Sequence, residues 1–331
     1  MPFDIPDAGE EINAKYYIDY SRELGEGTCS IVRKCINRET RQRYAVKSVS
    51  KAHHKQVEMM RNEIELLQKL NHPHVVSMVD VFEDSEDLHL VTEYCKGGEI
   101  FDEVERGTKP KVSSEKQTVL IVRQLLEAMA YLHKNNIVHR DLKVQNVLFT
   151  TKKKDEIKLI DFNIATKHDE NEDSPLSLKC GSLYYVSPEV LGKEYGKSCD
   201  VWSLGVIVYV LLFGKYPFYG ESRDITLMKI RCQDVIFPSF TKVSYEAQDF
   251  IRKALQKDPC KRATLEEMCQ HEWIRGTVLD TSTETLKKKK KHPSTMKEAI
   301  KRIFINPKRS PDERTYSFSE QPSEEMTTAG L

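Results

Sequence analysis

Val138-His139-Arg140-Asp141-Leu142-Lys143-Val144-Gln145-Asn146-Val147-Leu148, followed by Asp161-Phe162-Asn163, is the stretch that decides how the rest of the chain is read. Two short apolar runs, Val147-Leu148-Phe149 and Ile157-Lys158-Leu159-Ile160, flank a polar insert from Thr150 to Glu156, a pattern that predicts a hairpin of two small strands. That hairpin keeps Asp141, Lys143, Asn146 and Asp161 on one side of one rigid unit. An acid, a cation, an amide and a second acid so arranged suit metal-assisted phosphoryl transfer. The first carboxylate can take the proton of an attacking hydroxyl and the ammonium can neutralise the moving phosphoryl, while the amide and the second carboxylate offer the hard oxygens that Mg²⁺ prefers. A solvated charged loop is the bland alternative for any one of these residues, but H-R-D-L-x-x-x-N followed by D-F is too long a pattern for it.

Outward from this stretch, the region from Tyr16 to about Tyr94 is strand-rich. Leu24-Gly25-Glu26-Gly27-Thr28-Cys29-Ser30-Ile31-Val32 puts small residues between two β-prone segments, and Tyr44-Ala45-Val46-Lys47-Ser48-Val49 follows as a third strand. A turn with little side-chain bulk lets backbone N–H groups approach phosphates, and a lysine on the next strand adds a fixed cation. Val57 to Leu70 has helical periodicity at Met60, Ile64, Leu67 and Leu70, carries Glu63, and is stopped by Asn71-His72-Pro73-His74. Leu88 to Gly98 reads as a strand ending in glycines, and from Glu99 to Leu132 the pattern turns helical. Val201 to Phe213, too short and too interrupted to span a membrane, reads as a buried helix, with Trp202 and Trp273 as core anchors.

These motifs, in this order and over Tyr16 to Ile274, resemble eukaryotic protein kinases. The resemblance implies an α+β, two-lobed fold: a small β-rich N-lobe over 16–94 and a large, mainly helical C-lobe over 98–274, after an N-terminal extension over 1–15. It implies that Leu24, Gly25, Glu26, Gly27, Thr28, Cys29, Ser30, Ile31, Val32, Ala45 and Lys47 hold ATP. Backbone groups of Glu93 and Cys95 meet the adenine edge, with Thr92 behind it. Glu63 pairs with Lys47, Asp141 and Lys143 are catalytic, and Asn146 and Asp161 bind Mg²⁺. Phe162 packs inward, Glu189 pairs with Arg262, and the helix from Asp200 supports the catalytic loop. Lys143, together with Gly181-Ser182, resembles serine/threonine kinases, and the whole is similar to the calcium/calmodulin-dependent branch.

Four positions, Ser30, Val144, Gln145 and Asn163, depart from that pattern. Ser30 stands where a third glycine is common. Asn163 stands where glycine is usual, a place where positive φ favours Gly and then Asn. Gln145 replaces a glutamate that holds an arginine two residues before the phosphoacceptor, whereas Glu99 keeps the carboxylate for an arginine three residues before it. The expectation is transfer to protein Ser/Thr hydroxyls in Arg-x-x-Ser/Thr. A scaffold that keeps the fold without the activity would lack Lys47, Asp141 or Asp161, and all three are present.

Arg140 is placed to bind a phosphate on the segment from Asp161 to Glu189, on Thr166, Ser174 or Ser177; the acidic run from Asp169 to Asp173 can supply the same charge. Residues 275–331 are poor in large apolar side chains and read as a basic regulatory tail. Within it Thr295 to Ile305 alternates apolar and basic residues at helical spacing, which leaves autoinhibition, calmodulin binding and a solvated linker all open. Lys287 to Lys291 reads as solvated charge, with nuclear import the sharper alternative. Lys plus Arg and Asp plus Glu are balanced at 51 each, so no nucleic-acid or membrane partner is expected. Eight scattered cysteines without a C-x-x-C pair, and no leader at Met1-Pro2-Phe3-Asp4, point to reduced thiols in the cytosol or nucleus.

Overall fold

The computed structural model describes residues 12–26, 30–100, 114–170, 174–192, 194–239 and 243–276. Gly27-Thr28-Cys29, Lys287 to Lys291 and the segment 295–305 lie outside the described residues.

The N-terminal part is one antiparallel sheet. Its strands are β1 (Tyr16–Glu26), β2 (Ser30–Asn37), β3 (Arg43–Ser50), β4 (Met78–Glu83) and β5 (Asp87–Glu93), in the order β1-β2-β3-β5-β4. Alternation along β3 sends Val46 and Lys47 to opposite faces. One face packs Val46, Ile18, Cys35, Phe82 and Val91 under Ile12 and Tyr16, where the short helix α1 (Ile12–Lys15) crosses it. The other face receives α2 (His54–Leu67), which buries Met60, Glu63, Ile64, Leu66 and Leu67. Sequence periodicity carries this helix to Leu70, but it ends three residues sooner. Lys69 and Leu70 donate to Leu66 and Leu67, the tightened i to i+3 bonds that close a helix, and Leu70 stays buried just beyond it.

The C-terminal part is mainly helical. Helix α3 (Glu115–Lys134) starts at Ser114, whose side chain accepts from the N–H of Gln117. After the short α4 (Pro188–Gly192), α5 (Ser198–Phe213) is buried from Cys199 to its end and stops at Gly214 with φ 67°. Gly205 lets the helix that ends at Ala254 approach it: a Cβ there would sit 2.7 Å from that of Ala254. Around α5 lie α6 (Arg223–Cys232), α7 (Tyr245–Ala254), α8 (Leu265–Gln270) and α9 (Glu272–Gly276). Trp202 and Trp273 are both buried, Trp273 donating its indole N–H to Glu115 at 2.9 Å. Among the described residues no helix is long and apolar enough to cross a membrane.

Between the two parts lie the small strands that carry the polar residues. The hairpin expected from the sequence is β8 (Val147–Phe149) against β9 (Ile157–Leu159), with β6 (Gly98–Glu99) on its outer side. A second pair joins β7 (Ile137–Val138) to β10 (Thr166–Lys167). The fold is thus two-lobed, with a β-rich lobe, a helical lobe and these ribbons at the seam.

Candidate active site

The loop between β7 and β8 is built on Asp200 of α5. Its carboxylate is 1% exposed and accepts from the N–H of His139 and of Arg140, each at 2.9 Å, and faces Nε2 of His133 at 2.9 Å. Burial pushes this carboxyl up, but the bond from His133 and the nearby imidazoles more than offset that, and it lies below its ordinary range. The two amide bonds hold Arg140 at φ 66°, a region few non-glycine residues occupy. Turned this way, the loop presents Asp141 beneath the seam.

Asp141 is the hub. Lys143 Nζ lies 2.6 Å from Oδ2, the Ser182 hydroxyl donates to Oδ1 at 2.8 Å, and Asn146 Nδ2 reaches its backbone C=O at 2.8 Å and Oδ2 at 3.2 Å. Ser182 can come this close because Gly181 has φ +99° and a Cβ there would sit 2.8 Å from the Arg140 carbonyl. Burial opposes the charge of Lys143, yet Asp141 and then Asp161 raise its pKa above the ordinary value. It therefore stays a cation at neutral pH.

The second acid is held from the other lobe. Lys47 Nζ bridges Glu63 at 2.8 Å and Asp161 at 3.0 Å, joining residues 16 and 114 positions apart. Glu63 also accepts from the N–H of Phe162 at 2.9 Å, so one buried carboxylate on α2 fixes both the lysine and the turn after β9. Burial pushes the Asp161 carboxyl up, but the attraction of Lys47 and then of Lys143 wins and brings it down to about 2. Phe162 is buried against His139, ring centroids 4.9 Å apart.

The turn corrects one expectation. Asn163 is not among the residues with positive φ; the left-handed residue is Asp161, at φ 64°. Phe162 to Ala165 closes a turn in which the N–H of Ala165 donates to Phe162 at 3.1 Å, and Asn163 is one of its central residues. Negative φ suits any side chain in such a turn. The departure from glycine therefore carries no backbone strain in this conformation.

The remaining expected residues fall along the seam. Gly25 pairs with Val32 and Glu26 with Ile31 at the end of the β1–β2 ribbon, Leu24 is 37% exposed, and Ser30 begins β2. Ala45 pairs with Thr92 on β5, beside Lys47. The Glu93 N–H donates to Ser77 and its carboxylate pairs with Lys158 at 2.8 Å, while Cys95 follows the strand with its thiol pushed by burial up to about 12. Glu189 and Arg262 form the expected buried pair, bidentate, with Oε2 2.8 Å from NH2.

The donor set fits a divalent cation held jointly with a nucleotide. Asn146 spends its amide hydrogens on Asp141, which leaves Oδ1 as the ligand atom, and Asp161 is 28% exposed on its side chain. Among the described residues no cluster of three or more His, Cys, Asp or Glu forms a complete cage. Two oxygens plus phosphates and water is how Mg²⁺ is ordinarily held.

Several contacts were not legible beforehand. The bridge from Lys47 to Asp161 and the bond from Phe162 to Glu63 join distant segments whose pairing has no spacing rule. Arg140 directs Nε to the Ile164 carbonyl at 2.6 Å and NH1 to the Tyr195 hydroxyl at 3.4 Å. Asp169 and Glu170, expected to stand near it, accept instead from Asn136 Nδ2 at 2.8 Å and from the N–H of Lys197 at 2.7 Å. The only signal for Asp200 as an amide acceptor was its place at the start of an apolar helix.

Comparison with known sequences agrees with this geometry. A family model for the protein kinase domain matches residues 18–274. A probable myosin light chain kinase of Dictyostelium discoideum is 40% identical over 272 residues, covering 81% of this chain and 85% of the relative. A calcium/calmodulin-dependent protein kinase of Emericella nidulans is 41% identical over 274 residues, covering 81% of this chain and 64% of the relative. Calcium-dependent protein kinase 7 of Arabidopsis thaliana is 36% identical over 307 residues, covering 89% and 56% respectively. The chain thus spans less than two thirds of the last two.

Proposed function

The chain belongs to the protein kinase family and is a protein serine/threonine kinase similar to the calcium- and calmodulin-dependent ones, and on that premise we propose how its residues divide the work. ATP and a divalent metal go with the family, and protein side chains are its substrates; Mg²⁺ is the metal we assign. When bound by Asn146 and Asp161, the cation draws charge from the phosphate oxygens. Asp141 orients the Ser or Thr hydroxyl and takes its proton. Lys143 steadies the transferred phosphoryl, and Ser182 holds Asp141 in line. Lys47, fixed by Glu63, grips the phosphates under the ribbon from Leu24 to Val32, and backbone groups of Glu93 and Cys95 seat the adenine.

The observation that carries this reading is the set of donors on Asp141, from Lys143, Ser182 and Asn146, within 2.6 to 3.2 Å. The test is transfer of labelled phosphate from Mg-ATP to an Arg-x-x-Ser peptide. Asp141→Asn should lower kcat by about 10²–10⁴-fold, the usual worth of a positioned base, with the protein still folded and ATP still bound. Equal rates for both proteins would sink the assignment.

Specificity and regulation extend the proposal. Glu99 is the carboxylate we assign to an arginine three residues before the acceptor. It registers with Leu148 on the catalytic hairpin, and Gly97 allows that closeness, since a Cβ there would overlap Phe149 and the Thr151 carbonyl. We assign autoinhibition to the tail after Gly276, relieved by calmodulin at 295–305. Removal of the tail should raise peptide phosphorylation, and calcium-calmodulin should do the same only for the full chain.

A further inference from the structure

Tyr195 lies in the turn between α4 and α5, buried, and its polar atoms reach the segment that carries Ser182 and the loop that carries Asp141. Its N–H donates to the Leu176 carbonyl at 3.1 Å, and its own carbonyl accepts from the Leu176 N–H at 2.8 Å, a single antiparallel bridge. Beyond that bridge its hydroxyl donates to the Leu178 carbonyl at 2.6 Å. Burial pushes the phenol well above its ordinary range, so the proton that makes this bond stays in place at neutral pH. With its one hydrogen committed to Leu178, the oxygen can only accept from other groups. Two donors reach it, Arg140 NH1 at 3.4 Å and the Cys180 thiol at 3.6 Å. One side chain thus ties positions 176, 178 and 180 to the arginine next to Asp141.

The tie closes a ring. Arg140 takes its place from Asp200, and its carbonyl lies where a side chain at Gly181 would collide. Ser182 follows at once, with its hydroxyl on Asp141 and 3.2 Å from Lys143 Nζ. Past Ser182 the chain is held again. The N–H of Tyr185 donates to the Ser182 carbonyl at 2.9 Å, and Tyr184 stacks on Tyr216 with ring centroids 4.4 Å apart. Before Ser182 packing contributes less, because Ser177 is exposed and Leu178 is 50% exposed. The bonds to Tyr195 therefore carry the placement of that stretch.

We propose that Tyr195 is a positioning residue for phosphoryl transfer, its hydroxyl holding residues 176–180 against Arg140 so that Ser182 meets Asp141. The proposal rests on the kinase reading above. It makes the alignment of the base depend on a phenol that touches neither nucleotide nor substrate, and that acts through Leu178 and Arg140.

The test compares Tyr195→Phe with the unaltered full chain. It measures kcat and KM for the Arg-x-x-Ser peptide and for Mg-ATP, and the rate of trypsin cleavage after Lys179. Phenylalanine keeps the ring and the backbone bridge and removes only the hydroxyl. Per occupied ATP site, kcat should fall about 10- to 100-fold, the scale of a small misplacement at a reacting centre. KM for ATP should stay unchanged, since Lys47, Asn146 and Asp161 are held by other contacts. Cleavage after Lys179 should quicken as the stretch before Ser182 loosens. A hydroxyl that serves only the fold would lower the number of ATP sites and leave the rate per site unchanged, and that result overturns the proposal. An unfolded variant overturns it too, because the hydroxyl then acts on the whole fold, and so does a slower kcat with no change in cleavage. Absence of transfer by the unaltered chain overturns the kinase reading itself, whereas an active chain indifferent to Tyr195→Phe leaves that reading standing and removes this proposal alone.

Discussion

The two acids of the site are held in different ways. Asp141 is braced within one lobe: its loop hangs on Asp200, and Lys143, Asn146 and Ser182 converge on it from the same lobe. Asp161 is braced across the seam, by Lys47 from the sheet and through Glu63 on α2, whose carboxylate also holds the Phe162 amide. The first arrangement survives any shift of one lobe against the other, and the second does not. With the roles proposed above, such a site keeps Asp141 placed by one lobe alone, while the placing of Asp161 needs both.

Cutting the local brace should have the largest effect. Asp200→Ala leaves two buried amides without acceptors and should cost about 3–5 kcal/mol of stability, read by denaturant unfolding, with loss of transfer. Glu63→Gln attacks the cross-lobe brace and should separate the two properties. Transfer should fall about 10²-fold from misplacement of Lys47, while unfolding shifts far less. If Glu63→Gln destabilises as much as Asp200→Ala, the contrast is broken.

Acid should unpick the cross-lobe brace next. The Asp161 carboxyl, 3.8 ordinarily and about 2 in the fold, contributes stability that is complete above pH 4. That stability, on the order of 2 kcal/mol, drains away as pH falls from 4 toward 2. Unfolding free energy measured down that range should fall less steeply in Asp161→Asn. The smallest effect belongs to Asn163→Gly. Because Asn163 has no positive φ, glycine should bring no relief and should cost less than about 1 kcal/mol through added chain entropy, with unchanged kcat. A gain in activity would mean that the segment turns through another conformation during the cycle.

Much of this was legible in the chain because it is local. The β8–β9 hairpin follows from two apolar runs around a polar insert, α5 from an unbroken apolar stretch, and α2 from apolar residues at helical spacing. The end of α2 was not legible, since tightened bonds after Leu67 and not the run of apolar residues set it. The position of Asn163 misled for a similar reason. A sequence shows which residue tolerates positive φ, but hydrogen bonds decide which residue receives it, and here the turn closed by Ala165 passes it to Asp161.

The sequence by itself determined the chemistry: two acids, a lysine and an amide at spacings that only a shared hairpin and loop make useful. It also determined the order of strands and helices, because period-2 and period-3.6 burial are properties of neighbours along the chain. The tertiary structure decided which of those groups touch. The Lys47 bridge, the amides on Asp200 and the stacked tyrosines beside Ser182 each join residues far apart in sequence, and close packing of the lobes is what brings them within bonding distance.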